Sequence, residues 1–205
     1  MKHTNHQKLS TILKSVFNDN TKKTYKDLAN QLDQQGIALL LILFSLPAAL
    51  PIPAPGYSTI LSIPILMLAS RLLLGYSTIW LPDGMEQKVC NYSDFKKTQK
   101  LIFKLVYFIE KFSKPRLLFF VDSPLFPKFI GIIIFICGLS MALPIPGTNT
   151  LPAGGIFLLS FSLLEKDGLL TIVATIYSII AICVSTLIII LGYEVAKELL
   201  KIIGL

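Results

Sequence analysis

The sequence predicts an all-α, polytopic membrane protein: two repeated, Pro-broken helical hairpins of the re-entrant kind, plus amphipathic interfacial helices. Three observations carry that prediction. The first is a repeat: Ala49-Leu50-Pro51-Ile52-Pro53 recurs letter for letter as Ala142-Leu143-Pro144-Ile145-Pro146. Proline lacks an amide proton and clashes with the preceding helical turn, so neither copy lies inside a regular helix. The second is clustering of the apolar residues. Arg71 is the only charge between Ile37 and Leu81, and there is none from Phe129 to Leu164 or from Leu169 to Gly192. Soluble cores do not sustain such runs. The third is the placement of a net charge of +7, with six lysines before Gly36 and a second basic block from Lys88 to Arg116. Basic flanks of apolar segments stay in the cytoplasm. No nucleic-acid fold surrounds these lysines, so they read as membrane-surface charges facing anionic lipid headgroups.

Residues 1–36 form the first region, polar to amphipathic and helical. Leu9, Ile12, Leu13, Val16 and Phe17 keep helical spacing. Asn18-Asp19-Asn20-Thr21 interrupts it, and Thr24 is placed to cap a second short helix carrying Tyr25, Leu28 and Leu32. The region either lies on the membrane, docks a partner or is a solvated cap.

Residues 37–82 form the first hairpin. Ile37 to Leu50 is 14 residues, about 21 Å of helix, against a hydrocarbon layer of about 30 Å. Pro51, Pro53 and Pro55 give an extended stretch and Gly56 a turn. Ser58 or Thr59 then caps a helix running to about Gly75, with Pro64 in its first half. One long bent span from Ile37 to Leu74 is the competing reading, and three prolines in five residues oppose it.

Residues 83–128 read as a basic interfacial linker. From Phe95 to Ser113, Lys100, Lys104, Tyr107, Lys111 and Lys114 share one face, and Leu101, Leu105, Phe108 and Phe112 the other. That pattern suits a helix in the headgroup plane. Residues 129–168 repeat the hairpin: a run from Phe129 to Leu143, a turn through Pro144, Pro146 and Gly147, then an outgoing helix opened by Leu151-Pro152 and ended by Glu165-Lys166-Asp167-Gly168. Residues 169–205 supply a full span, the 23 residues from Leu169 to Leu191, and a short charged tail from Glu194.

The candidate binding residues follow from the breaks. Half-helices starting after proline turns bring their unpaired amides, with about half a positive charge each, towards the membrane interior. Such ends bind anions. Thr148, Asn149 and Thr150 either add side-chain donors and acceptors there or cap the next helix. Arg71 either snorkels to the headgroups or pairs with a phosphate or with Asp167; Asp167 in turn can simply end its helix. Cys90, Cys137 and Cys183 are odd in number and far apart, and read as reduced thiols. His3 and His6 make no metal cage, and no phosphate-binding glycine loop, nucleophile elbow or facing carboxylate pair is present. The expectation is therefore a non-enzyme without metal or cofactor.

The same residues resemble the ExoD family of bacterial membrane proteins. The resemblance lies in Leu46-Pro47-Ala48-Ala49-Leu50-Pro51-Ile52-Pro53-Ala54-Pro55-Gly56-Tyr57-Ser58-Thr59, Ile63-Pro64, Leu74-Gly75 and Trp80-Leu81-Pro82. It continues through Leu143 to Pro152 and Glu165 to Leu169, and covers most of the chain from about residue 20. The resemblance implies a multi-pass protein of the bacterial inner (cytoplasmic) membrane that takes part in exopolysaccharide synthesis. Two functions are compatible with it. One is binding or moving an anionic, polyprenyl-phosphate-linked substrate at the paired half-helix ends. The other is a passive anchor whose N-terminal and linker helices recruit exopolysaccharide enzymes.

Overall fold

A computed structural model describes residues 25–50, 56–78, 121, 123–143 and 148–203. The region before Tyr25, the prolyl turns at Pro51, Pro53 and Pro55 and at Pro144, Pro146 and Gly147, and the expected Phe95–Ser113 helix lie outside the described residues. Among the described residues there are five α-helices and no strand: α1 (Tyr25–Ala49), α2 (Tyr57–Leu74), α3 (Phe126–Ala142), α4 (Thr150–Glu165) and α5 (Gly168–Ile203).

The proline motifs end helices where their chemistry requires. α1 stops at Ala49 and α3 at Ala142, the first residue of each copy. α2 and α4 resume at Tyr57 and Thr150, the same distance beyond. One continuous helix from Ile37 to Leu74 is therefore not formed. Pro152 is tolerated because it stands in the first turn of α4, where its amide would have no helical acceptor. Pro64 lies deeper, within α2.

One boundary differs from expectation. A separate short helix before Ile37 is not formed, because α1 runs unbroken through Gly36. Gly36 is buried, and the roughly 1 kcal/mol cost of an interior glycine is small beside the packing of a continuous helix. The tail after Glu194 is helical, continuing α5 to Ile203.

α2 and the Gly168–Glu194 part of α5 are long and apolar enough to cross a membrane. α3 and α4, at 17 and 16 residues, rise only about 25 Å and fall short of a full crossing alone. Ile172, Val173, Ile176, Ile179, Ile180 and Leu187 leave α5 with an exposed apolar face. A face of that extent matches hydrocarbon better than water.

The most extensive packing joins α2 to α3 and α1 to α4. Each incoming helix thus packs on the outgoing helix of the other half. α4 also packs on α5 and α3, whereas α1 and α2 touch each other less. Ile37, Leu41, Ile42, Ile65, Leu72, Ile130, Ile134, Met141, Ile156 and Leu159 form the core. Buried hydroxyls there return to their own helix: Ser160 donates to the Ile156 carbonyl (2.6 Å), Ser162 to Leu159 (2.8 Å) and Ser178 to Ala174 (2.8 Å). This removes the need for a distant partner.

Glycines set two close crossings. A Cβ on Gly131 would lie 2.9 Å from the Leu72 Cβ, and one on Gly138 would lie 3.0 Å from Leu66 Cδ2. Residue numbers rise along α3 as they fall along α2, so the two helices are antiparallel. The start of α2 is therefore carried towards the end of α3, and the two breaks sit at the same end of the bundle.

Candidate functional site

Each break leaves the last carbonyls of one helix and the first amides of the next without helical partners. At the first break, Tyr57 closes part of this deficit. Its hydroxyl donates to the Pro47 carbonyl at 3.0 Å, with the Leu50 carbonyl 3.4 Å away. Gly56 enters α2 at φ 85°, a conformation that favours glycine, and no side chain caps the helix. The expected caps, Ser58 and Thr59, both lie inside α2 instead. The Ile60 amide reaches back to the Gly56 carbonyl (3.3 Å), so the orphan donors are the amides of Tyr57, Ser58 and Thr59. Thr59 Oγ1 is itself buried without a hydrogen-bond partner.

The second break is held differently. Thr148 is fully buried, and its hydroxyl donates to Asn149 Oδ1 (3.2 Å). Its carbonyl accepts from Ser185 Oγ of α5 (2.9 Å). Asn149 is the N-cap residue, yet its side chain does not bond to the helix. The Asn149 carbonyl receives the Ala153 amide (3.0 Å), and Pro152 has none to give. Among the described residues, the amides of Thr150 and Leu151 are thus left without an acceptor. The Asn149 side chain makes no cap bond to α4; its oxygen accepts from Thr148 instead.

Arg71 does not join this site. Fourteen positions separate it from Tyr57, about 21 Å of helix. Its Nε donates to the Thr78 carbonyl (2.8 Å), and its guanidinium lies 4.6 Å from the centre of the Tyr76 ring. Those contacts hold it at the end of α2. Asp167 is not its partner among the described residues. Asp167 Oδ1 accepts from the amides of Leu169 (3.0 Å) and Leu170 (3.1 Å), capping α5. Lys166 turns the chain there at φ 52°. Glu165 is buried and engaged; sequence reasoning treated it only as part of an exit turn.

Tyr57 and Ser185 were also missed in the sequence. A tyrosine just after a helix break was a readable signal, since its hydroxyl needs a partner in an apolar setting. Ser185 had none, because its acceptor lies 37 residues away. Tyr57→Phe removes the donor and leaves two carbonyls short. The expected cost is about 1 kcal/mol, read as a lower midpoint of unfolding in detergent.

The described residues are thus all-helical, with two candidate membrane-spanning helices and two helix breaks at one end. Comparison with known proteins gives its family. The family model described as exopolysaccharide synthesis, ExoD, matches residues 9–187. An uncharacterized protein of Synechocystis sp. is 39% identical over 142 residues, covering 69% of this chain and 67% of that protein. Protein ExoD of Rhizobium meliloti is 30% identical over 150 residues, 72% of this chain and 62% of that protein. No solved structure matches the chain. The chain belongs to the ExoD family, whose name ties it to exopolysaccharide synthesis.

Proposed function

We propose that the protein holds the anionic head of a lipid-linked substrate, of the polyprenyl-phosphate class, at the free amides of its two helix breaks. The observation that carries this reading is the pair of uncapped helix starts at one end of the bundle. Five amides without helical acceptors and the two breaks' positive dipole ends suit a phosphate. The Asn149 amide group, with its oxygen turned to Thr148, leaves Nδ2 as a further donor. The repeated Ala-Leu-Pro-Ile-Pro segments and the exchange-symmetric packing favour an internal duplication of a re-entrant hairpin. The protein acts without bond-making chemistry, metal or cofactor, as a multi-pass protein of the bacterial cytoplasmic membrane. Its basic N-terminal region and residues 83–116 face the cytoplasm and its anionic lipid headgroups. It serves the exopolysaccharide machinery by presenting the carrier lipid.

The test is lipid-phosphate translocation in vesicles containing the full chain. Asn149→Ala lowers the rate by about ten- to a hundredfold, the worth of one hydrogen bond to a charged group at about 1.5–3 kcal/mol. Arg71→Ala lowers it less. Helix content by circular dichroism stays unchanged in both. Wild-type rates in both variants reject the reading.

A further inference from the structure

A groove of about 400 Å³ opens between α1 and α2, with Arg71 at the end away from the first break. Leu40 and Phe44 of α1 line it, with Pro64, Met67, Leu68 and Arg71 of α2. Ser70 also borders it, but its hydroxyl is bonded to the Leu66 carbonyl (2.6 Å), so the walls offer no other free hydroxyl. From Pro64 to Arg71 the groove follows about 10 Å of helix rise. It is thus apolar along its length and cationic at one end.

We propose that this groove seats the hydrocarbon chain of an anionic membrane lipid whose phosphate rests on Arg71, as a capture station separate from the breaks. The proposal rests on the reading that the chain handles an anionic lipid, and it says where the lipid first binds. Charge complementarity argues for this occupant. Arg71 spends its Nε on Thr78, and its Nη groups make no hydrogen bond among the described residues. A planar guanidinium with free Nη donors suits a phosphate. Lys128 of α3 adds a second cation: its Nζ lies 3.5 Å from where a Cβ on Gly75 would stand, one turn beyond Arg71. The C-terminal end of α2 alone would repel an anion. The start of α3 lies beside it, at the Gly131–Leu72 crossing, and offsets that partial charge. The two side-chain charges therefore set the sign. The geometry also has the right sense, with the charge at the helix end and the apolar wall running towards the hairpin interior. A zwitterionic lipid gains less from Arg71, because its own ammonium offsets the phosphate charge, and a free phosphate gains nothing from the groove.

Fluorescence quenching in nanodiscs tests this with the full chain. Trp80→Phe removes the native indole, and Phe44→Trp places a reporter in the groove. Brominated phosphatidate and brominated phosphatidylcholine are compared as quenchers in the same phosphatidylcholine bilayer. Phosphatidate is expected to quench about threefold more strongly, the size of a partly exposed ion pair. Arg71→Gln brings the ratio to one, whereas Arg71→Lys retains part of it. Inorganic phosphate does not displace the lipid. Should the Phe44→Trp protein fail to fold, Leu40→Trp reports from the same wall. Equal quenching by the two lipids, or a preference that survives Arg71→Gln, overturns the proposal. Because the readout is occupancy, it is independent of translocation: loss of transport in Asn149→Ala with equal quenching here would remove this station alone.

Discussion

Gly131→Val is expected to unfold the protein at a markedly lower temperature or denaturant concentration than the wild type. A Cβ at this position would meet the Leu72 Cβ at 2.9 Å, the Leu73 amide nitrogen at 3.0 Å and the Leu72 carbonyl carbon at 3.2 Å. Two of these three atoms are backbone, so rotating a side chain cannot make room. The α2–α3 crossing, one of the two most extensive in the bundle, must widen. Overpacking of this kind costs about 1–3 kcal/mol before the two extra methyl groups are counted. In a membrane, such small-residue crossings supply much of the helix association. Gly192→Val is the matched control, since nothing lies within 4 Å of the added Cβ. Thermal unfolding in detergent, followed by circular dichroism, compares them. Equal midpoints would show that the α2–α3 crossing is looser than described.

The second large effect is expected at the α4–α5 crossing, where it can be partly reversed. A Cβ on Gly155 would stand 2.5 Å from Ser178 Oγ, 3.2 Å from its Cβ and 3.3 Å from its Cα. The hydroxyl cannot simply swing away, because it is buried and bonded to the Ala174 carbonyl. Gly155→Ala should therefore destabilise by about 1–3 kcal/mol. Ser178→Ala removes the nearest atom and leaves contacts at 3.2 Å and beyond. Its own cost is that of the hydroxyl's hydrogen bonds, to the Ala174 carbonyl, which keeps its ladder amide, and with the Cys137 side chain. The double variant should be more stable than Gly155→Ala alone, giving a coupling of about 0.5–3 kcal/mol by double-mutant cycle. Strict additivity would mean that the two positions do not touch. The same crossing carries Ser185 to the second break, so loosening it also frees the Thr148 carbonyl.

Helix ends were legible where they depended on local chemistry. α1 and α3 stop at the repeated Ala-Leu-Pro-Ile-Pro segments, where two prolines spaced two apart remove successive ladder donors, whereas the single Pro47 and Pro64 are carried inside α1 and α2. Gly75 ends α2 with its amide on the Leu72 carbonyl (3.1 Å) and the Tyr76 amide on Arg71 (3.0 Å), a left-handed stop that glycine favours. Arg71 near a helix end was among the readings of the sequence; Asp167 was read as ending the helix before it, whereas it caps the start of the next. Legibility failed where a local signal competed with packing. Gly36 reads as a boundary and is not one, because α1 keeps it buried. The choice for Asn149 between capping and presenting a donor was also undecidable, since it turns on where Thr148 sends its proton.

Residue order alone determined that this chain is helical, where proline interrupts it, which runs avoid charge and which family it belongs to. Each of these depends on a residue and its near neighbours along the chain. Tertiary structure alone decided that α1 pairs with α4 and α2 with α3, that both breaks come to one end, and that Arg71 stands at a groove instead of beside Thr148. Those outcomes depend on which surfaces can approach within a few ångströms, at Gly131 and Gly155 above all. Such shape matching between segments distant in the chain leaves no periodic trace in either one.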